Sequence, residues 1–375
     1  MKVLHFYKTY YPDSFGGIEQ VIYQLASGST QLGVESTVLA LSPNPIEKTI
    51  TVGGHTVHRC HSDIKLASTD FSLSAFKRFS ELAKDADIVH YHFPWPFMDL
   101  VHFATRHKKP TIVTYHSDIV KQKKLLRLYQ PLMNQFLQSV DAIVATSPNY
   151  QATSDVLQKY QSKVHLITYG LDRDLYPAPS ADKLNYWRNE LGDKFFLFVG
   201  VLRYYKGLHI LLDALSLGDL PTVIIGSGPI EDELKVKARE LGLKNVKFLG
   251  RVSDEDKIAI TTLSYAVVFP SHLRSEAFGI SLLEGAMFGK PMISSEIGTG
   301  TSYINSNQET GIVVPPSSPN DLHNAMTYIW NSPDIAEQMG VQAAKRFGKL
   351  FTSDLMCEGY KNLYQKVIDD KKRSL

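Results

Sequence analysis

Cysteine is nearly absent: Cys60 and Cys357 are the only two in 375 residues. That is too few for a disulfide framework, so the composition is that of a cytosolic chain. Neither cysteine sits in a CxxC pair or in metal-ligand spacing. Long apolar runs are missing too; the longest, near Phe195–Leu202, falls far short of the roughly 18–20 residues of a membrane span. The first eight residues, Met1 to Lys8, return to lysine too soon for the apolar region of a signal peptide and read as a first buried strand. The chain is therefore expected to be soluble or peripheral. An excess of charge of one sign is also lacking: 40 Lys+Arg against 38 Asp+Glu leave a net +2. This excludes a strongly basic nucleic-acid binder and an acidic disordered chain. There is no internal repeat, no low-complexity tract, no GxGxxG and no GxxxxGK[ST].

What the sequence does contain is alternation. Short apolar runs at Val3–Tyr7, Ser36–Leu41, Ile88–His92, Thr111–Tyr115, Ala142–Thr146 and Val164–Thr168 are separated by helix-length segments such as Glu19–Leu32 and Phe71–Ala83. Such alternation predicts βαβ units and a largely parallel sheet. Ile50–Val52 and Thr56–Cys60, flanking Gly53-Gly54, predict a β-hairpin at an edge. A second series follows at Phe195–Val199, Thr222–Ile225, Val246–Leu249, Ala266–Phe269, Pro291–Ser294 and Gly311–Val314, with helices at Leu208–Leu215, Ile230–Leu241 and Ile280–Phe288. The expected class is α/β, with two doubly wound, Rossmann-like domains, residues 1–172 and 173–352, and a ligand at the carboxyl ends of both sheets. The last helix, 353–371, is expected to pack back on the first domain.

Three loops carry candidate chemistry. Gly16-Gly17 stands before an amphipathic helix, where glycines let backbone N–H groups approach an anion. In Gly200-Val201-Leu202-Arg203-Tyr204-Tyr205-Lys206-Gly207, Arg203 and Lys206 follow a strand, a suitable place to meet a departing diphosphate. Glu276 and Glu284 flank Phe278-Gly279. A helix starting near Gly279 would set these carboxylates up to ~12 Å apart, too far to share a proton but suited to the two ends of one ligand. Glu284 lies in the apolar stretch Leu282 to Met287, where a carboxylate needs a partner.

Together with Tyr115-His116-Ser117-Asp118, Gly226-Ser227-Gly228-Pro229 and Phe248 to Ser253, these residues resemble the retaining, GT-B-fold glycosyltransferases of family 4 over essentially the whole chain. The resemblance implies a role for each matched position. Gly16 and Gly17 would give backbone contacts to the donor, and His116 would stand beside the transferred sugar. Arg203 and Lys206 would stabilise the leaving diphosphate. Glu276, with Phe278 and Gly279 and the adjacent Ile280, would bind the donor sugar, and Glu284 the ribose. Gly226, Arg251 and Val252 complete the implied donor site. One departure stands out: Val201 occupies a position where the family often has arginine. With no protein nucleophile implied, the expected chemistry is front-face transfer with retention, helped by positioning and charge stabilisation. No cofactor or metal is expected beyond the nucleotide sugar.

Other patterns are weighed and set aside or kept open. Asp172-Arg173-Asp174 spells DxD but falls in the linker. His55, His58, Cys60 and His61 alternate faces of a strand and read as an exposed edge hairpin rather than a zinc site. His90 and His92 share a face and are candidates for acceptor contact. Arg251 and Asp254 stand where a base would be met, or are plain exposed loop residues. The segments Phe269–Ser275 and Glu296–Tyr303 resemble bacterial O-antigen and polysaccharide mannosyltransferases, implying GDP-mannose as donor. Residues 106–127 hold seven Lys/Arg against one Asp and run into Leu125–Met133. That segment is either a basic amphipathic surface for an anionic bilayer or a solvated helix face. With Lys371-Lys372-Arg373 it points to a polyprenol-diphosphate-linked glycan acceptor at the inner face of the cell membrane. Two rivals remain: a transferase using a UDP-sugar or another GDP-sugar, and a catalytically silent sugar-nucleotide-binding partner subunit.

Overall fold

In the computed structural model, residues 1–66, 69–119 and 123–373 are described. The chain divides into two compact units, Met1–Asp172 with Thr352–Leu375, and Arg173–Phe351. The first unit contains β1 (Lys2–Phe6), β2 (Glu35–Ser42), β3 (Thr49–Val52), β4 (His55–His61), β5 (Ile64–Leu66), β6 (Thr69–Phe71), β7 (Ile88–Phe93), β8 (Thr111–Tyr115), β9 (Ala142–Ala145) and β10 (Val164–Leu166). The second contains β11 (Phe196–Val199), β12 (Thr222–Ile225), β13 (Val246–Gly250), β14 (Ala266–Phe269), β15 (Met292–Ser295) and β16 (Gly311–Val314).

The first sheet has the order β10-β9-β8-β7-β1-β2-β4-β3, parallel except for β3, and the second the order β13-β12-β11-β14-β15-β16, parallel throughout. Both are doubly wound. The strand order reverses between β1 and β7 in one unit and between β11 and β14 in the other, and the loops leaving those strands diverge around a crevice.

Because strand side chains alternate, each central strand feeds two cores. On β11, Phe196 and Phe198 join Ile224, Val268 and Ile293 on one face, while Leu197 packs with Phe195, Val223 and Ile225 on the other. In the first unit Phe6 meets Phe79 and Trp95 at ring distances of 5.1 and 4.7 Å. The opposite face of β1 and β7 carries His5, His90 and His92, all at most 1% exposed. They are covered by the C-terminal helix Ser353–Arg373, whose Tyr364 hydroxyl bonds His90 Nδ1 at 2.8 Å.

Three expectations need correction. The helix expected over Glu19–Leu32 runs from Gly17 to Gly28 and tightens into a 3₁₀ turn over Ser29–Leu32. The histidine-bearing hairpin does form the edge of the sheet, with β3 outermost, but two of its histidines, His55 and His58, are buried instead of exposed. His55 is buried, with its Nε2 2.9 Å from the Tyr10 hydroxyl, and His58 turns the other way to Thr49 and Arg78. Nor are His90 and His92 available to an acceptor, since the nitrogens of both rings are taken up inside the fold.

Of the basic segment 106–127, Lys121 and the side chains of Lys123 and Lys124 lie outside the described residues. The helix Lys123–Ser139 that follows buries Met133, Phe136 and Leu137 and exposes Leu125 and Leu128. Lys371 bonds Asp141 Oδ1 at 2.9 Å, so this tail residue is tied to the fold. Among the described residues no helix is long and apolar enough to cross a membrane.

Candidate active site

In the second unit the predicted residues gather on the loops that leave the carboxyl ends of β11 to β14. After β11 the chain makes a 3₁₀ turn at Tyr204–Lys206 and reaches Gly207 at φ 72°. A Cβ there would lie 2.0 Å from the Pro270 carbonyl oxygen, so only glycine lets the loops after β11 and β14 touch. That contact brings Lys206 onto Glu276: the two form a close ion pair, each about nine-tenths buried. Ser271 Oγ also donates to Glu276, at 3.3 Å, and the Lys206 ammonium sits 4.8 Å from the centre of the Phe269 ring. Burial pulls the Lys206 pKa down, but the neighbouring Glu276 and Tyr205 outweigh it and the net shift is upward. The ammonium therefore stays charged although its side chain is about nine-tenths buried. Arg203 is exposed and adds repulsion at Lys206, so the two cations are electrostatically coupled.

Glu284 has a separate partner. It sits on the helix Ile280–Met287, nearly buried, and its Oε1 accepts from Lys257 Nζ and the Tyr176 hydroxyl, both at 3.0 Å. Burial lowers the Lys257 pKa and Glu284 raises it, with a net rise. The helix begins only at Ile280, behind Gly279 at φ 103°, so Glu276 lies on the irregular approach and the helical-rise estimate does not describe the pair. Phe278 is buried against Gly300 and Phe351. Gly226, at φ 127°, lies under the β11 loop, where a Cβ would come 2.0 Å from the Gly200 carbonyl oxygen. Arg251 is exposed and donates from Nε to Ser227 Oγ at 2.9 Å, while Val252 packs into the core beneath. Val201 is exposed beside Arg203. Lys257 and Tyr176 escaped the sequence reading: Glu284 advertised its need for a partner, but nothing local says which lysine supplies it.

In the first unit, Gly16 is the N-cap of the helix Gly17–Gly28 in ordinary extended backbone, and Gly17 is exposed. The space a Gly16 Cβ would take is filled by the Glu19 carboxylate, whose Oε2 lies 2.3 Å from that position. Glu19 accepts 2.7 Å bonds from Thr9 and Ser14. The positive end of this helix is thus partly satisfied from within.

His116 follows β8 and is 2% exposed. Its Nε2 lies 3.0 Å from His92 Nδ1, and its Nδ1 makes a short bond to the Tyr169 hydroxyl. Burial, with Lys8 nearby, lowers its pKa to about 3. The imidazole is neutral with both nitrogens engaged, so contact with a ligand requires exchange of one of these bonds. His5, His90 and His92 offer ligand atoms within 4.8 Å of one another, the one such metal-sized cluster among the described residues. That spread exceeds the roughly 3.3 Å edges of a tetrahedral zinc site, so metal would demand movement within the core.

Residues 15–175 match the family model described as Glycosyltransferase Family 4, and residues 183–346 that of Glycosyl transferases group 1. The chain is 63% identical to the D-rhamnosyltransferase WbpZ of Pseudomonas aeruginosa over 94% of this chain and 93% of that protein. It is 51% identical to the O-antigen chain mannosyltransferase C of Escherichia coli, over 99% of this chain and all of that protein. Among solved structures, a sucrose-phosphate synthase from Thermosynechococcus elongatus superposes with a TM-score of 0.81 at 20% identity, covering 98% of this chain and 99% of that one. That last likeness speaks for the GT-B fold. With two Rossmann-like units and these relatives spanning nearly its full length, the chain belongs to the family 4 glycosyltransferases.

Proposed function

We propose that this glycosyltransferase moves a mannosyl residue from GDP-mannose, with retention at the anomeric carbon, to a polyprenol-diphosphate-linked glycan in O-antigen assembly. The observation that carries the sugar and the process is the near full-length identity to an O-antigen chain mannosyltransferase. The chemistry follows from the second unit. A diphosphate gains charge as the glycosidic bond breaks, and Lys206, charged and desolvated, is placed to neutralise it with Arg203 alongside. Because Lys206 is held by Glu276 before donor arrives, the diphosphate competes for that ammonium and frees the Glu276 carboxylate for sugar hydroxyls. Glu284 retains an oxygen beside the Lys257 contact for the ribose. The counter-charge comes from side chains, which makes the reaction independent of a divalent ion. His116 is read as the group that meets the sugar, by exchanging its Tyr169 bond. The enzyme works from the cytoplasm as a peripheral protein of the inner membrane face.

A second reading has its own support, since the 63% identical relative is named for D-rhamnose. D-rhamnose is D-mannose without the hydroxyl at C6, so the two donors differ by one polar group. Calorimetric titration with GDP and UDP in EDTA, followed by transfer assays with GDP-mannose and GDP-D-rhamnose on a lipid-diphosphate glycan, separates the readings. Tight GDP binding and addition of a hexose mass support mannose; addition of a deoxyhexose mass supports rhamnose. Preference for UDP would sink both while leaving the site, and binding without turnover on any acceptor would favour a silent partner subunit.

A further inference from the structure

Inside the first unit, three imidazoles and a phenol form one line. His5 Nδ1 lies 3.2 Å from His92 Nε2, His92 Nδ1 lies 3.0 Å from His116 Nε2, and His116 Nδ1 bonds the Tyr169 hydroxyl. The strands impose this order. His5 on β1 and His90 on β7 are register partners, His92 is two residues further on the same face of β7, and His116 leaves β8 beside it. His90 belongs to a different chain of bonds, reaching Tyr364 at 2.8 Å and Thr114 at 2.7 Å, and Thr114 meets Tyr360 at 2.7 Å. Among the described residues, His5 Nε2 has no hydrogen-bond partner.

A neutral imidazole has one N–H donor and one bare nitrogen acceptor. Burial lowers the pKa of His5 and His116 to about 3 and that of His92 well below its ordinary value, so all three rings are neutral. Neutral rings joined nitrogen to nitrogen must all donate in the same direction. If the protons point inward from Tyr169, the line ends on a His5 Nε2–H with nothing to receive it, fully buried. If they point outward, His5 Nδ1–H donates to His92, His92 Nδ1–H donates to His116, and His116 Nδ1–H donates to the Tyr169 oxygen. Only a bare nitrogen is then left unmatched at His5. Orphaned buried N–H groups are the rarer case in folded proteins.

We propose that His5 and His92 are positioning residues that hold His116 as its Nδ1–H tautomer, so that it offers a hydrogen-bond donor, not a proton acceptor, to the donor sugar. The proposal rests on the reading of His116 as the sugar-facing group. His116 Nε2 is fixed by the strand-borne His92, whereas its Nδ1–H points at a hydroxyl oxygen that a sugar hydroxyl or phosphate oxygen can replace one for one. A base at this position is ruled out by the same logic, because the nitrogen that would accept a proton already accepts one from His92.

Long-range ¹⁵N–¹H correlation spectra of the full chain labelled at histidine nitrogen test this directly, with His116 assigned from the spectrum of His116→Gln. The expected result is a His116 protonated on Nδ1, bare on Nε2, and untitrated down to pH 5. In His92→Phe, His116 should shift toward the Nε2–H form, and kcat should fall about tenfold or more while KM changes little. His92→Asn, whose amide N–H stands near the lost Nδ1–H, should recover most of the rate, and His5→Phe should act in the same direction more weakly. A wild-type His116 protonated on Nε2 would overturn the proposal whether or not the variants fold. So would a His92→Phe enzyme of unchanged tautomer and kcat. If the tautomer behaves as expected but His116→Gln keeps full kcat, the sugar-facing role of His116 is overturned, and the reading of Lys206 at the diphosphate stands apart from that result.

Discussion

The two units use one strand order to build opposite electrostatic surroundings. At the β11/β14 crevice the side chains are ions: Lys206 with Glu276, and Lys257 with Glu284, each carboxylate less than a tenth exposed. On the buried face of β1 and β7 the side chains are neutral: His5, His90, His92 and His116, bonded to one another and to tyrosines and a threonine. Ions suit a ligand whose charge grows during reaction; neutral donors suit hydroxyl groups that must be oriented without being ionised. The difference lies in residue chemistry, since the order of six parallel strands, β4-β2-β1-β7-β8-β9 and β13-β12-β11-β14-β15-β16, is shared.

Removing the ion on one side should have the largest effect. Lys206→Met is expected to reduce kcat by about 10²–10³-fold in a transfer assay. It also leaves Glu276 buried without its cation, at a cost of about 3–5 kcal/mol in denaturant unfolding. The double variant Lys206→Met/Glu276→Gln should regain much of that stability and none of the rate; recovery of both would show that the pair is structural only. Gly207→Ala comes next. It puts a side chain at φ 72° against the Pro270 carbonyl oxygen, and a loss of at least about 2 kcal/mol with a matching drop in Tm is expected. A wild-type Tm would mean that the two loops are not held by this contact.

Glu284→Gln should weaken nucleotide binding by about 10–100-fold in calorimetry, in proportion to a lost charge-assisted hydrogen bond, with kcat at saturating donor less affected. The last prediction concerns pH. The unfolded His5 binds a proton below its ordinary pKa of 6.5, while the folded one does so only near 3. Its contribution is complete above 6.5 and is lost as pH falls through that window. His5→Phe should flatten the acid limb of the stability curve by one proton, about 1.4 kcal/mol per pH unit, and leave the alkaline limb alone. The buried Asp99, whose pKa is raised by burial, opposes one such slope in the same unit and is untouched by this change. The raised lysines behave in the opposite sense: Lys206 and Lys257 support the fold below their ordinary pKa of 10.5, and that support is lost above it.

Much of the fold was legible because parallel sheets write themselves plainly. Phe195 to Val199, Thr222 to Ile225 and Ala266 to Phe269 are apolar runs with helices between them, and each is followed by a loop that opens on glycine or proline. The loops after β11 and β14 were therefore readable as candidate site loops. That Lys206 meets Glu276 was not, since seventy residues separate them in sequence and only the adjacency of β11 and β14, with glycine at 207, joins them. His90 and His92 were readable as sharing a face, yet their burial was not. It depends on the C-terminal helix, which delivers Tyr360 and Tyr364 from the far end of the chain. The edge hairpin was readable, but the burial of His55 was not: its ring is met by the Tyr10 hydroxyl and Ser27 Oγ, which other parts of the chain deliver.

By itself the sequence determined the α/β class, the two series of strands and the loops on which charged residues stand, because hydrophobic period and turn chemistry are local. Tertiary structure decided which of those charges are paired, which histidines are dry and which way their protons run. Burial and partner distance belong to strand order, and strand order is written across the whole chain.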